Sequence, residues 1–357
     1  MSSQVEIILN RICAKAAEKK ASEIYIIPAQ MPFVRIDGKM ESLTGESILS
    51  VSFINDLIPI FLSKNEQDIL KERKQIDIVR KIGKIGNSQI SIYFQKSNLS
   101  LRIKLLSQEI KDLDSLGLPK VIKGFTQVLH GLVLITGPRD SGRSTLAISL
   151  LDYINKNQSK FISTIEKPIK AVLTGAKSVV EQREVGKDVN SFLSGLSYVR
   201  KRNVDVVMLS EINDVAMFKE IFAIAEAGSL VFIIMDTISS LKTIKRILHF
   251  FPTSEEESIR YFLSENLAGI ISSRLVPRIG GGRVRALEVL SATHAVKTII
   301  SNGKFHQLTG VLQTSEGDTA VSMDQYLADL VSSGEVTVKE AVKYCVDREL
   351  FKALLRR

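Results

Sequence analysis

The chain has 357 residues, 45% hydrophobic and 24% charged, with a formal net charge of +9; that is enough apolar material for a sizeable core, at a length that favours two domains over one. Two cysteines, Cys13 and Cys345, stand at opposite ends without metal-ligand spacing, which speaks against a disulfide scaffold and a thiolate metal site. The longest apolar runs, such as Leu230 to Met235, fall far short of the ~20 residues that cross a bilayer, and the N-terminus reaches Glu6 and Arg11 without an apolar signal core, so a cytoplasmic protein is expected.

In chain order, Ile7, Ile8, Ile12 and Ala16 recur with helical spacing over residues 4–20 and predict an amphipathic helix. SEIYIIP and FVRIDGKM, with Asp37-Gly38 as a turn, read as strands; residues 51–70 read as one helix, and QIDIVRKI, SQISIYF and LSLRIKLL as three further strands. A small α+β domain over 1–106 follows, then a polar linker over 107–119 ending in Gly-Leu-Pro. From Lys120 short apolar strands (GLVLITG, FISTIEKP, VDVVMLSE, SLVFIIMDT) alternate with helices, the pattern of an α/β domain with a parallel sheet and crossover helices over 120–357. Ser254 with Glu257, and Thr337 with Glu340, have capping-box spacing; the first predicts a helix to about Ser273, and the last ~70 residues read as mainly helical apart from VRALEVL.

The strand GLVLI runs into GPRDSGRST, which has the spacing of a phosphate-binding loop with arginine in place of lysine. In such a loop glycines turn backbone N–H groups toward phosphate, the lysine bridges the outer phosphates and the hydroxyl residue binds magnesium. Gly137, Pro138, Ser141, Gly142, Arg143, Ser144 and Thr145 are thus candidate nucleotide-binding residues, at the N-terminus of a helix that favours anions. Glu211 ends an apolar strand where an acid would orient magnesium or its water, in concert with Ser144, and Glu166 ends another; these two are the candidate catalytic acids. Lysine and arginine are dispersed, with short clusters at KERK (Lys71 to Lys74) and the terminal LLRR, so a solvated basic surface is expected and no specific nucleic acid partner.

Taken in order, GPRDSGRST, TIEKPIK, EQREVGKD, DVVMLSEIND, EAGSLVFIIMDT and RIGGGRVRALEV closely resemble the PilT-like type IV pilus retraction ATPase family of secretion ATPases, and ASEIYIIP and SSGEVTVKEAVKYCVDRELFKALL extend the resemblance to both ends. It implies a PAS-like N-terminal domain, a linker and a RecA-like P-loop NTPase domain. It further implies ATP and Mg2+ as cofactors, and a homo- or hetero-hexameric ring beneath an inner-membrane pilus machine, with nucleotide between one subunit's two domains and a neighbour. The chain departs from the family's pattern at its charged positions. The family carries glycine at Asp140, lysine at Arg143, aspartate at Lys167 and, as the base, glutamate at Lys170; it has histidines at Ser229 and Asp236, glycine at Ser210, and interface arginines where Asn87 and Gln89 stand.

Loss of a general base alone costs ~10²–10⁴ in rate, and loss of arginine fingers ~10³–10⁵, without simple additivity. Arg143 keeps a positive charge in a planar fork that replaces a compact ammonium poorly. Gly137, Gly142, Ser144, Glu211, Arg183 and Gly280 to Gly282 are retained, so the sequence reads as a scaffold selected to fold and assemble with its hydrolysis impaired. The alternatives are a divergent but active motor using Arg143 and Glu166, and a basic adaptor for nucleic acid or a membrane surface.

Overall fold

Val5, Leu9, Ile12, Cys13 and Ala16 form the buried stripe of the first helix, α1 (Ser2–Glu18), whereas Ile7 faces solvent. The apolar face is therefore displaced from the one drawn through Ile7 and Ile8: the stripe holding Ile12 and Ala16 continues N-terminally through Leu9 and Val5 at 3.6-residue periodicity. The computed structural model describes residues 2–83, 85–106, 109–314 and 319–356, and the chain divides into two units, Met1–Glu109 and Ile110–Arg357.

In the first unit β1 (Glu23–Ile26), β2 (Phe33–Ile36), β3 (Lys39–Ser42), β4 (Gln75–Ile82), β5 (Gly86–Gln95) and β6 (Asn98–Leu105) form an antiparallel sheet of order β3-β2-β1-β6-β5-β4. Where one helix was expected over 51–70 there are two, α2 (Val51–Phe61) and α3 (Lys64–Arg73). Ser63 and Glu66 each bond the other's backbone N–H, and this capping box restarts the helix. Residues 107 and 108, where the linker was expected to begin, lie outside the described residues; from Ile110 onward it belongs to the second unit, with Leu113 in the core and the Ser149 hydroxyl donating to the Lys111 carbonyl at 2.6 Å.

The second unit opens with α4 (Lys120–Gly124), β7 (Gly131–Thr136), α5 (Arg143–Asn157), β8 (Phe161–Glu166), β9 (Val179–Glu184) and α6 (Phe192–Arg200). It continues through β10 (Val206–Leu209), α7 (Val215–Glu226), β11 (Leu230–Met235), α8 (Ser240–Leu248), α9 (Glu256–Asn266), β12 (Leu267–Pro277) and β13 (Arg283–Ser291). Then come α10 (His294–Ser301), α11 (Gln307–Thr314), β14 (Ala320–Val321), α12 (Met323–Ser332), α13 (Val338–Ala341) and α14 (Arg348–Leu354). The eight strands take the order β14-β13-β12-β7-β11-β10-β8-β9, all running one way except β13, which pairs antiparallel with β12 and β14. Both faces are covered, as a parallel sheet requires: Leu132, Leu134, Val231 and Ile233 pack into one core with α6 to α11, while Val133, Ile135, Phe232 and Ile234 alternate into another with α4 and α5.

The helix expected to run to Ser273 ends at Asn266, and residues 267–277 are the strand β12. The Ser254–Glu257 box does not form; the N-cap is Glu255, without a side-chain cap. Pairing of β12 with β7 on one side and β13 on the other overrides the local signal for a segment containing Gly269, Ile270 and Ile271, which are poor helix formers. No helix among the described residues is long and apolar enough to cross a membrane.

Candidate functional site

The glycine-containing loop leaves the C-terminal end of β7, at the centre of the parallel sheet, and enters α5. Gly142 caps α5 with φ +83°, and a Cβ there would lie 2.9 Å from the Arg285 guanidinium; a Cβ on Gly137 would lie 2.3 Å from the Ser273 carbonyl. Both positions therefore need glycine. Asp140 takes φ +60°, a left-handed conformation that aspartate tolerates better than most residues. From behind, the β12–β13 hairpin grips three successive loop carbonyls: Arg283 donates to Asp140 at 3.4 Å, the Ser273 hydroxyl to Ser141 at 2.7 Å, and Arg285 to Gly142 at 3.2 Å. Burial pulls the Arg285 guanidinium down to about 10. Gly280, Gly281 and Gly282 all have positive φ and make the turn of this hairpin.

The charged side chains around the loop bond one another and the backbone. Arg143 donates to the Met235 carbonyl at the end of β11; burial lowers its pKa, opposed by the charges of Asp236 and Asp140. Lys170 Nζ donates to Ser144 Oγ at 2.6 Å. Glu166 is buried at the end of β8 and accepts from the Thr164 hydroxyl at 2.8 Å, Gln182 Nε2 at 3.0 Å and the Lys170 amide; burial raises its pKa, and these donors with the Lys170 charge offset the rise. Ser141 Oγ is buried without a hydrogen-bond partner.

The structure thus brings Gly137, Pro138, Ser141, Gly142, Arg143, Ser144 and Thr145 together in one loop, with Glu166, Lys170 and Asp236 beside it. Glu211, two residues beyond the end of β10, is exposed and accepts from Asn213 Nδ2 at 2.6 Å. Ser210 receives the Lys167 amide at 3.1 Å, buried Ser229 donates to the Val204 carbonyl at 2.7 Å, and Asn87 and Gln89 lie two residues apart on β5 of the first unit. Arg183 holds its guanidinium 4.3 Å from the Tyr198 ring centre and donates to the Asp188 carbonyl at 3.3 Å. Sequence reasoning missed Arg285 and Gln182; the signal for Arg285 was its place on the strand face that continues through Leu287 and Val289, both buried.

Magnesium held through Ser144 and Glu211 does not fit these residues. An ammonium already bonds the Ser144 hydroxyl, and the Glu211 carboxylate accepts from Asn213.

The family model for Type II/IV secretion system proteins matches residues 1–281. The chain is 29% identical over 333 residues to the type IV pilus retraction ATPase PilT of Pseudomonas aeruginosa, covering 93% of this chain and 96% of that protein. It is also 29% identical over 311 residues to a twitching motility protein of Neisseria gonorrhoeae, covering 87% and 83%. A crystal structure of the pilus retraction motor PilT with bound ADP superposes with a TM-score of 0.84 at 33% identity, over 96% of this chain and 98% of that one. A glycine-containing loop of phosphate-loop spacing at the centre of a parallel sheet, following a small α+β unit in the sequence, in a chain matched along nearly its whole length by such proteins, places it in the Type II/IV secretion system protein family, among the PilT-like pilus retraction ATPases.

Proposed function

We propose that this chain is a PilT-like ring subunit impaired in ATP hydrolysis, a structural or regulatory partner of a pilus retraction motor. One observation carries the reading: Lys170, at the position where the resembling family has its catalytic glutamate, donates to the Ser144 hydroxyl at 2.6 Å, so the base is replaced by a cation that occupies the loop's hydroxyl. Arg143, at the lysine position, is turned to the Met235 carbonyl. The loop keeps its helix N-terminus and left-handed glycine, which supports retained nucleotide affinity. Its assembly is a homo- or hetero-hexamer with a PilT-like subunit, at the cytoplasmic face of the inner-membrane pilus machinery; the relatives named PilT and twitching motility protein support this placement.

The test is steady-state phosphate release by the native protein and by a variant carrying Asp140→Gly, Arg143→Lys and Lys170→Glu together. The native protein stays near background, and the variant gains ~10²-fold or more. Native turnover that vanishes in Glu211→Ala overturns the reading. A second reading, a divergent active motor, is favoured by one feature: burial raises the Glu166 carboxyl beside the loop, as suits a general base. It requires native turnover that Glu166→Gln abolishes.

A further inference from the structure

The misfit between this loop and magnesium has a positive counterpart. In a magnesium-using loop the hydroxyl at the helix start faces a divalent cation that screens the phosphate chain. Here that hydroxyl, on Ser144, accepts from the Lys170 ammonium at 2.6 Å, and Lys170 is fixed in turn because its amide donates to Glu166 at the end of β8. A monovalent cation built into the chain thus stands where a metal would, and a divalent ion brought to the same hydroxyl meets like charge.

The rest of the hollow favours an anion. α5, fifteen residues long, presents its N-terminus to the loop. Ser141 Oγ is more than nine-tenths buried and unpartnered, and it lies against the start of the loop, where a Cβ on Gly137 would come within 2.4 Å of it. A buried hydroxyl without a partner is costly, and a phosphate oxygen would satisfy it. Behind the loop Arg285 spends its hydrogen bonds on neutral oxygens, Gly142 O and Ser273 Oγ, so its charge adds to the positive potential. Asp140 opposes this, and together with Asp236 it offsets Arg143.

We propose that the loop binds the phosphate chain of a nucleoside di- or triphosphate without a divalent metal, the Lys170 ammonium at Ser144 Oγ serving as the built-in counter-cation. The inference rests on the reading of the chain as an impaired PilT-like subunit, but it stands or falls on binding rather than turnover.

Calorimetric titration of the full chain with ADP, ATP and pyrophosphate, each with excess EDTA and with excess Mg2+, tests it. For the native protein the ADP and ATP affinities agree within about 2-fold between the two buffers; Lys170→Glu weakens binding in EDTA by about 10-fold or more and recovers with Mg2+, and Lys170→Met weakens it in both. Thermal unfolding of each variant confirms that it is folded, and the native comparison needs no variant. Pyrophosphate binding as tightly as ADP narrows the ligand to the phosphate chain alone. Native binding that is lost in EDTA overturns the proposal, as does Lys170→Met binding like the native chain. No binding in either buffer also overturns it and leaves the impaired-motor reading intact, whereas hydrolysis by the native chain defeats that reading and leaves the metal dependence to the titration.

Discussion

The two units use their charges differently. In the first, buried carboxylates meet cations: Glu23 takes Arg35 at 2.9 Å together with Arg102 and the Tyr25 hydroxyl, and Glu46 takes Arg11 at 2.8 Å and Lys15 at 2.6 Å. Around the loop of the second, arginines meet carbonyls instead, Arg143 at Met235, Arg285 at Gly142 and Arg283 at Asp140, while buried Glu166, and Glu288 against the start of α8, are held by hydroxyl, amide and backbone donors. Charge in the first unit closes on itself and holds the fold. Around the loop it is left over as positive potential, which is what an anion site requires.

The comparison breaks most visibly at Glu23. Glu23→Ala leaves two guanidinium groups without their carboxylate; since those side chains are 31% and 35% exposed, the expected loss is about 2–4 kcal/mol in denaturant unfolding. An unchanged midpoint would mean that the pairing does not hold the sheet. Next comes Gly142→Ala, which meets both a left-handed φ and the Arg285 guanidinium at 2.9 Å; it should cost about 1–3 kcal/mol and abolish nucleotide binding in the same titration.

Acid sharpens the contrast. Burial alone would raise the Glu23 carboxyl, but the bonds from Arg102, Tyr25 and Arg35 outweigh it and hold it down to about 2, so its contribution is present above the ordinary carboxyl range near ~4.3 and is lost as pH falls toward 2. Glu166 and Glu288 are raised by burial, which gives the opposite sign: their contribution is complete below ~4.3 and is lost as pH rises through their folded values. Acidification from neutrality should therefore cost the first unit about 1–2 kcal/mol while relieving the second. Hydrogen exchange resolved by unit reads this directly, and a second unit that loses protection first would contradict it. The smallest effect belongs to Glu211→Ala: with the side chain exposed and bonded to its near neighbour Asn213, stability should change by less than about 0.5 kcal/mol and nucleotide affinity should not move.

Much of this was legible in the sequence. The alternation of short apolar strands with helices located the parallel sheet, and glycine spacing located the loop, because both are local consequences of backbone geometry. The break between α2 and α3 was legible in principle through Ser63 and Glu66, but the surrounding apolar run masked it. The strand after Asn266 was not, since pairing with β7, more than a hundred residues earlier, decides it. The list of altered residues was readable one by one; that Lys170 reaches Ser144, 26 residues away, and that Arg143 turns to β11, required the fold.

The grip of the hairpin on the loop has a further consequence. In a trans peptide the C=O and N–H point in opposite directions, so fixing the carbonyls of Asp140, Ser141 and Gly142 toward Arg283, Ser273 and Arg285 also aims the next amides away from the hairpin. Ordering a free residue costs roughly 1–2 kcal/mol of conformational entropy, and here folding has met that cost before any ligand arrives. Affinity at this loop is therefore sensitive to residues that no ligand touches: loosening Arg283 or Ser273 would weaken binding entropically, through backbone freedom returned to an empty loop.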